Sequence, residues 1–371
     1  MSFVDKFKQL DLTALQLALN SATCADVEQA LQHPNGNLYA LMALLSPAAI
    51  PYLEQMAQQA KQITLQRFGH NIQLFAPMYL SNLCANECDY CGFTLSNKIK
   101  RKVLNHQEIA DEINILKGRG FDSLLLVTGE HESKVGIDYF AQVLPQCKRH
   151  FSHVSLEVQP LQTRQYKQLV SLGLDGVMLY QETYHPVTYA KHHTRGKKSD
   201  FLNRLDSPDR LAQANVDKIG LGVLLGLDDW RVDALLMGHH LAYLENRYWR
   251  SKYSISLPRL RPCTGGVEAK MPISDTGLVQ LVCAFRLFSE ALEISLSTRE
   301  TSQFRNNLMP LGITHMSAGS STEPGGYAKP ESQLVQFEIS DERSVKEVAE
   351  AIKNNGYTPV YKDWQGDWIT T

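Results

Sequence analysis

The sequence lacks the marks of exported, membrane-spanning and nucleic-acid-binding proteins. It holds no apolar run of the roughly 18 residues that a transmembrane helix needs. Residues 1–6 carry no basic segment followed by an apolar core, so we expect no secretory signal. Neither sign of charge dominates, since 37 Lys and Arg residues are balanced by 39 Asp and Glu residues. We therefore expect a cytoplasmic protein with neither nucleic acid nor membrane as a partner.

The chain also lacks the even set of spaced cysteines that a disulfide-stabilised protein has. It contains seven cysteines, and Cys84, Cys88 and Cys91 follow C-x3-C-x2-C spacing with no fourth cysteine nearby. A structural zinc site and an ordinary ferredoxin cluster each take four ligands. Three thiolates suit instead a cubane iron–sulfur cluster whose fourth iron stays open to a small molecule. Buried thiols or an incomplete zinc site are the alternatives.

Residues 1–70 are predicted to form an N-terminal helical extension. Apolar residues recur at helical spacing between residues 53 and 63. Ser46 followed by Pro47 is typical of an N-cap and the first helical residue, so the helix is expected to begin there.

Residues 71–330 alternate between short apolar runs and amphipathic stretches, as β/α repeats do. The number and length of the repeats predict an α/β fold, a (β/α)8 TIM-type barrel. A doubly wound open sheet is the alternative. The predicted strands are Ile72–Tyr79, Ser123–Thr128, Val154–Val158, Gly176–Tyr180, Lys218–Leu224, Tyr253–Leu257, Glu293–Ser297 and Ile313–Ser317.

Residues 331–371 are predicted to form a C-terminal tail that packs on the barrel. An amphipathic helix is expected near residues 345–352, and Trp364 and Trp368 are expected to anchor the tail by burial. Together with the N-terminal extension, this tail is expected to close the barrel lumen against water.

Polar residues follow the predicted strands, at the end of the barrel where TIM-type enzymes carry their active sites. A scaffold that only stores a cluster would not need such a ring, so an enzyme is favoured. The candidate residues at or just after the strand ends are Thr128, Gly129, Glu130, Glu157, Glu182, Gly222, Arg259, Arg299 and Ser317.

The cysteine motif, with Tyr90 directly before its third cysteine, resembles that of the radical S-adenosylmethionine (SAM) enzymes. More narrowly, the chain resembles the 2-iminoacetate synthase family, the tyrosine lyases of bacterial thiazole biosynthesis. The resemblance covers nearly the whole chain. The stretches that carry it are residues 80–86, 90–93, 127–131, 180–185, 258–266 and 296–300.

The resemblance implies a radical SAM lyase that cleaves the Cα–Cβ bond of L-tyrosine to 2-iminoacetate and p-cresol. Methionine and 5′-deoxyadenosine would be formed from SAM. The alternatives are a tryptophan lyase, a biotin-synthase-like enzyme and the tyrosine lyase of hydrogenase maturation. That last family carries a second cluster on a cysteine-rich C-terminal extension, whereas no cysteine follows Cys283 in this chain.

The resemblance also assigns cofactor roles. Cys84, Cys88 and Cys91 would hold one [4Fe-4S] cluster, and SAM would bind its open iron. Thr128, Gly129 and Glu130 would meet the methionyl amino group, Glu157 the ribose hydroxyls, Gly222 and Tyr90 the adenine, and Arg259 a carboxylate.

For the substrate, Arg299 is the predicted partner of the tyrosine carboxylate, because a guanidinium binds carboxylate in a bidentate manner. A salt bridge from Arg299 to Glu300 is the alternative. Ser317 would add a donor. Glu182, with its neighbours Gln181, Tyr184 and His185, would line the phenol end or relay a proton, and Arg259 and Arg261 remain alternatives for either carboxylate.

The resemblance implies two protein partners, a thiazole synthase subunit and a flavodoxin or ferredoxin-type electron donor. The basic residues 98–102 could dock the donor, but a solvated helix face is favoured for them. Lys197 and Lys198 are expected in an exposed loop. The cysteines in helical patterns are expected to be core thiols: Cys24, Cys147 and Cys283.

Overall fold

The computed structural model describes residues 2–331 and 335–362. The described α-helices are α1 (Phe3–Phe7), α2 (Leu12–Ser21), α3 (Cys24–Gln32), α4 (Leu38–Leu45), α5 (Leu53–Phe68), α6 (His106–Gly118), α7 (Ile137–Lys148), α8 (Thr163–Ser171), α9 (Pro186–His192), α10 (Phe201–Leu205), α11 (Ser207–Gln213), α12 (Trp230–Arg247), α13 (Asp275–Phe288), α14 (Ser302–Leu308) and α15 (Val345–Asn354). Three 3₁₀ turns are Pro47–Tyr52, Lys197–Ser199 and Met309–Leu311.

The described strands belong to one large sheet and one small antiparallel pair. They are β1 (Asn71–Ser81), β2 (Glu87–Cys88), β3 (Ser123–Thr128), β4 (His153–Glu157), β5 (Gly176–Met178), β6 (His193–Arg195), β7 (Lys218–Gly222), β8 (Lys252–Ser256), β9 (Glu293–Leu296), β10 (His315–Ser317) and β11 (Thr358–Val360). In the large sheet all pairings are parallel, and β2 pairs with β6 alone.

The eight strands predicted from the sequence close into a barrel. The order runs β1, β3, β4, β5, β7, β8, β9 and β10, and β10 pairs back onto β1 at Gln73–His315. This closure confirms the TIM-type fold and excludes the open doubly wound sheet. Parallel strands place all their carboxyl ends at one face, so the polar strand ends meet there.

The N-terminal helices pack against the outside of the barrel. Leu41 of α4 is fully buried, and a Cβ on Gly238 of α12 would lie 2.2 Å from its Cδ2 atom. The predicted helix start at Ser46 is wrong in detail, since Pro47 begins a 3₁₀ turn and α5 begins at Leu53. Ser46 does not cap that turn, because its Oγ donates to the Ala43 carbonyl at 2.7 Å.

The C-terminal segment crosses the carboxyl end of the barrel before it reaches α15. The Gly92 N–H donates to the Gln336 carbonyl at 3.0 Å, and the Ser340 N–H donates to the Thr298 carbonyl at 2.9 Å. The helix predicted near 345–352 is present as α15. The tail also adds β11 beside the start of β1, which the sequence did not predict. Trp364 and Trp368 lie outside the described residues.

Two of the three predicted core thiols, Cys147 and Cys283, are fully buried. Cys24 is exposed, so its prediction is wrong: it is the first residue of α3 and faces solvent. Among the described residues no helix is both long and apolar enough to cross a membrane.

Candidate active site

A deep cavity opens at the carboxyl end of the barrel. Its volume is about 1380 Å³ including the open space at its mouth. It is lined by eleven of the predicted site residues: Cys84, Cys88, Tyr90, Cys91, Thr128, Gly129, Glu130, Glu157, Glu182, Arg299 and Ser317.

The three cysteines lie on the loop after β1, and Arg101 holds this loop in shape. Its Nη1 atom donates to the carbonyls of Asn82 and Phe93, both at 2.8 Å. Its Nη2 atom donates to the carbonyls of Thr94 and Asn97 at 2.7 and 3.1 Å. One guanidinium thus gathers four backbone carbonyls, which fixes the cysteines relative to one another.

This role corrects the prediction for the basic run. Residues 98–102 do not form a helix face. The Asn82 side chain accepts from the Lys102 N–H at 2.7 Å and donates to the Lys100 carbonyl at 2.9 Å, which holds this stretch against the end of β1. Within the run, Arg101 is partly buried under the cysteine loop.

Gly129 lets the end of β3 touch the cysteine loop. A Cβ at this position would lie 2.5 Å from the Leu83 carbonyl oxygen and 3.2 Å from the Cys84 Cβ. The Ala85 N–H then donates to the Glu130 carbonyl at 2.9 Å. The cysteine loop and the predicted SAM-binding segment after β3 therefore form one continuous wall.

The three thiols fit a cluster better than a lone metal ion. Among the described residues, no group of three or more His, Cys, Asp or Glu side chains is arranged to hold a metal ion. A cubane cluster places each thiolate on a different iron, so its ligands need not converge on one point. Burial raises the pKa of the Cys84 thiol to about 11 and also raises the pKa values of Cys88 and Cys91. Bound iron would favour the thiolates.

Two carboxylates on the cavity wall are paired with cations. The Arg204 Nη1 and Asn86 Nδ2 atoms donate to Glu130 at 2.9 and 2.8 Å, and the Lys198 Nζ donates to Glu182 at 2.8 Å. Burial would raise the pKa values of Glu130 and Glu182, but the charges of Lys198 and Arg204 outweigh it and hold both pKa values below normal. Both carboxylates stay ionised and can accept from a bound ammonium group.

Glu157 differs from these two carboxylates because it forms no ion pair with any described residue. It is the last residue of β4, which ends one residue before the predicted strand end at Val158. Burial, with a smaller contribution from the charge of Glu182, raises the pKa of Glu157 to about 7. Its side chain is thus an unpaired acceptor that faces the cavity.

Arg299 lies on the opposite side with its guanidinium available to a ligand. Its Cζ is 3.4 Å from the centroid of the Phe337 ring, and its Nη1 donates to the Arg259 carbonyl at 3.4 Å. Burial lowers the pKa of this guanidinium, which nonetheless stays charged at neutral pH. No carboxylate among the described residues forms an ion pair with it.

Arg259 is committed to other residues and does not line the cavity. Its Nε is 3.0 and 2.9 Å from the two Glu300 carboxylate oxygens, and its Nη1 is 2.7 Å from Asp275. Glu300 therefore pairs with Arg259, not with Arg299. This arrangement does not support the predicted binding of a SAM or tyrosine carboxylate by Arg259.

Gly222 is also outside the cavity wall, and strand packing accounts for its lack of a side chain. A Cβ there would lie 2.5 Å from the Tyr180 ring and 2.8 Å from the Ser256 carbonyl oxygen. The predicted phenol-end residues Tyr184 and His185 do not line the cavity either. Among the residues predicted for the phenol end, only Glu182 lines the cavity. The chain turns at Glu182, so the residues that follow it lie away from the cavity.

The remaining predicted residues present polar groups to the cavity. Thr128 Oγ1 is buried and has no hydrogen-bond partner among the described residues. Ser317 Oγ accepts from the Thr298 N–H at 3.2 Å and keeps its own proton to donate. The Tyr90 hydroxyl donates to Nε2 of His193 at 2.7 Å, since burial lowers the pKa of that histidine to about 2 and leaves it neutral.

Sequence reasoning missed Lys198, Arg204, Gln336 and Phe337, which all line the cavity. The expectation of an exposed loop holds for Lys197, whose side chain is 75% exposed, but is wrong for Lys198, which is 11% exposed. Adjacent side chains of a 3₁₀ turn point in different directions, and the sequence of two identical lysines does not indicate which side chain faces the cavity. Gln336 donates to Cys91 Sγ at 3.5 Å from a segment more than two hundred residues away.

Comparisons with known proteins agree with this geometry. Residues 78–237 match the Radical SAM superfamily, and residues 256–358 match the Biotin and Thiamin Synthesis associated domain. The chain is 52% identical over 364 residues to the 2-iminoacetate synthase of Escherichia coli (strain K12), covering 98% of this chain and 97% of that protein. It is 51% identical to the 2-iminoacetate synthase of Salmonella typhimurium (strain LT2), covering 99% and 98%.

Among solved structures, the FeFe-hydrogenase maturase HydG from Carboxydothermus hydrogenoformans superposes with a TM-score of 0.88. It is 29% identical, and the match covers 99% of this chain and 87% of that one. Radical SAM enzymes use a [4Fe-4S] cluster and SAM, and the three thiols, the carboxylates and the unpartnered Thr128 hydroxyl provide suitable ligands for them. This chain belongs to the 2-iminoacetate synthase family of radical SAM lyases.

Proposed function

We propose that this protein cleaves the Cα–Cβ bond of L-tyrosine, releasing 2-iminoacetate and p-cresol for thiamine thiazole biosynthesis. The observation that carries the proposal is the placement of a half-buried Arg299, which forms no ion pair with a described carboxylate, in the same cavity as the three cysteines. When bound, the cluster and SAM supply the radical that removes a hydrogen atom from the substrate, with methionine and 5′-deoxyadenosine as their products.

The cofactor side of the cavity is the wall formed by the cysteine loop and the ends of β3 and β4. Cys84, Cys88 and Cys91 would hold the cluster. Glu130, kept ionised by Arg204, would accept from the SAM amino group, and Glu157 would accept from the ribose hydroxyls. These contacts orient SAM through side chains that the folded chain already holds in place.

The substrate side is formed by the ends of β9 and β10 and by the C-terminal segment. Arg299 would bind the tyrosine carboxylate, and the Phe337 ring packs against its guanidinium. Ser317 would donate a further hydrogen bond. The Glu182–Lys198 pair lies across the cavity and is suited to hold the amino group or the phenol in place.

Closure of the cavity falls to the C-terminal segment and not to the N-terminal helices. Gln336 and Phe337 line the cavity, whereas no described residue before Phe75 does. The segment is anchored by the buried ion pair between Arg305 and Asp341. It would exclude water from a radical that reacts with most C–H bonds, so the predicted closing role is retained for the tail alone.

The proposed partners follow from the product and from the need for an electron. A thiazole synthase subunit would receive 2-iminoacetate, and a flavodoxin or ferredoxin-type protein would reduce the cluster. The exposed Lys98 and Lys100, close in sequence to the cysteine loop, suit an acidic donor. An oxygen-sensitive cluster and seven free cysteines fit a reducing, cytoplasmic setting.

An anaerobic product assay tests this function. The reconstituted protein would receive SAM, dithionite and L-tyrosine, and p-cresol and 5′-deoxyadenosine would be measured by mass spectrometry. We expect both products, dependent on tyrosine and lost in Cys84→Ala. Deoxyadenosine without p-cresol would reject tyrosine and favour another substrate such as tryptophan.

A further inference from the structure

The backbone after β5 adopts a conformation that its residue does not favour. Glu182 has a φ of 69°, in the left-handed region, and Asn215 is the other non-glycine residue with positive φ in the described chain. A non-glycine residue in this region is strained, and the conformation persists only where the surroundings hold it. Here it directs the Glu182 carboxylate into the cavity, against Lys198.

The contacts that hold this turn come from α12, which lies behind it, and from Leu224 after β7. Asp233 Oδ1 accepts from the Tyr184 N–H at 2.7 Å and from the Thr183 hydroxyl at 3.0 Å. The Leu224 N–H donates to the Glu182 carbonyl at 2.8 Å. The Asp233 carboxyl is buried and does not line the cavity, so its contacts are with the turn and not with a ligand.

A second residue of α12 holds the same turn two helical turns further along. His240 Nδ1 is 3.0 Å from the Tyr184 hydroxyl. Burial lowers the pKa of His240 to about 3, so the ring is neutral and its Nδ1 atom forms an uncharged hydrogen bond with the Tyr184 hydroxyl. Phe3 of α1 stacks on the imidazole, with ring centroids 3.9 Å apart and planes 2° apart.

We propose that Asp233 and His240 are positioning residues, which hold the strained turn so that Glu182 keeps its place beside the substrate. The inference rests on the proposed function and adds to it. If the turn relaxes, the Glu182–Lys198 pair moves and the substrate loses its fixed orientation. The cysteine loop, held by Arg101, and the Glu130–Arg204 ion pair keep contacts that involve neither Asp233 nor His240. The expected defect is therefore loss of coupling between SAM cleavage and tyrosine cleavage.

The physical requirement at Asp233 is a hydrogen-bond acceptor and not a negative charge. Burial raises the pKa of the Asp233 carboxyl to about 8, because desolvation penalises the ionised form. At neutral pH the group is largely protonated, and an asparagine has the same shape with an equivalent oxygen. Asp233→Asn should therefore preserve the turn, whereas Asp233→Leu keeps the size but removes the acceptor.

The test compares 5′-deoxyadenosine formed per p-cresol in four variants with the wild type. We expect the ratio to rise about tenfold in Asp233→Leu, and less in Tyr184→Phe, which removes only the bond to His240. Asp233→Asn should restore the wild-type ratio. The matched control is Gln280→Leu, because Gln280 is equally buried and donates two hydrogen bonds, to the Leu44 and Ser46 carbonyls, away from the cavity.

The outcomes separate the inference from the function on which it rests. A wild-type ratio in both Asp233→Leu and Tyr184→Phe, or an equal rise in Gln280→Leu, would overturn the positioning role alone. If Asp233→Leu does not fold, the other two variants test the positioning role: the ratio should rise in Tyr184→Phe and stay at the wild-type value in Asp233→Asn. Absence of p-cresol from the wild type would instead overturn the proposed function, and the inference with it.

Discussion

At the scale of single residues, the cavity depends on which charges are paired and which are free. Arg259 and Arg299 follow neighbouring strands and look alike in the sequence. Only the structure shows that Glu300 forms its ion pair with Arg259, so that Arg299 faces the cavity without a carboxylate partner among the described residues. Of the two carboxylates Glu130 and Glu157, only the first has a guanidinium beside it.

Arg299→Ala should reduce p-cresol formation at least about a hundredfold, because the substrate carboxylate loses the guanidinium that would bind it in the cavity. Some SAM cleavage without p-cresol should remain, since the cofactor wall is untouched. Arg299→Lys should recover only part of the activity, as an ammonium cannot bind carboxylate in a bidentate manner. Steady-state assays of both products would measure this, and full tyrosine turnover in Arg299→Ala would contradict the assignment.

SAM affinity should weaken as the pH falls through about 7, the value to which burial raises the pKa of Glu157. Above this pH the carboxylate accepts from both ribose hydroxyls, whereas below it one oxygen carries a proton. Binding titrations of SAM between pH 6 and about 8.5 would measure the change. Glu157→Gln should bind more weakly and without this pH dependence, so an unchanged profile in that variant would exclude Glu157 as its source.

At the scale of elements, the site is a contact between loops that follow different strands. The cysteine loop after β1 touches the end of β3 at Gly129, and Gly92 of the same loop touches the C-terminal segment. A Cβ at Gly92 would lie 2.6 Å from the Gln336 carbonyl oxygen. Both glycines are needed because backbone meets backbone, which leaves no room for a side chain.

Gly129→Ala should therefore separate the cysteine loop from the end of β3. Its new Cβ would lie 2.5 Å from the Leu83 carbonyl oxygen, which is a clash. Because this oxygen belongs to the backbone, the clash can be relieved only if the cysteine loop shifts. We expect reduced iron content after reconstitution and weaker SAM binding. Gly118→Ala is the matched control, because a Cβ there has nothing within 4 Å. Equal iron loading in the two variants would argue against this contact.

At the scale of the whole molecule, the N-terminal extension and the barrel share one hydrophobic core. Buried residues of α1, α4 and α5 belong to the same cluster as those of the strands and of α12 and α13. The predicted boundaries at residues 70 and 330 remain a proposal, and β1 begins at Asn71. These helices support the outer layer of the barrel, including the helix that carries Asp233.

Leu41→Ala should lower the free energy of unfolding by about 2–5 kcal/mol, because it opens a cavity between α4 and α12. Leu17→Ala should change it by less than about 0.5 kcal/mol, since Leu17 is 65% exposed. Denaturant unfolding of the two variants would measure both values. A small effect at Leu41 would mean that the extension is a separate unit.

The sequence alone predicted the barrel, the three cysteines proposed as cluster ligands and eleven of the residues that line the cavity. The strands could be predicted because hydrophobic periodicity is a local property of the sequence. Since the carboxyl ends of the strands in a closed parallel barrel lie at one face, the sequence also predicted that Glu130, Glu157 and Arg299 lie in one cavity. Tertiary structure decided what depends on partners far apart in the chain. It placed Arg259 on Glu300, turned Lys198 inward and brought Gln336 to Cys91, because the pairing of a charge or amide depends on which neighbour the fold supplies.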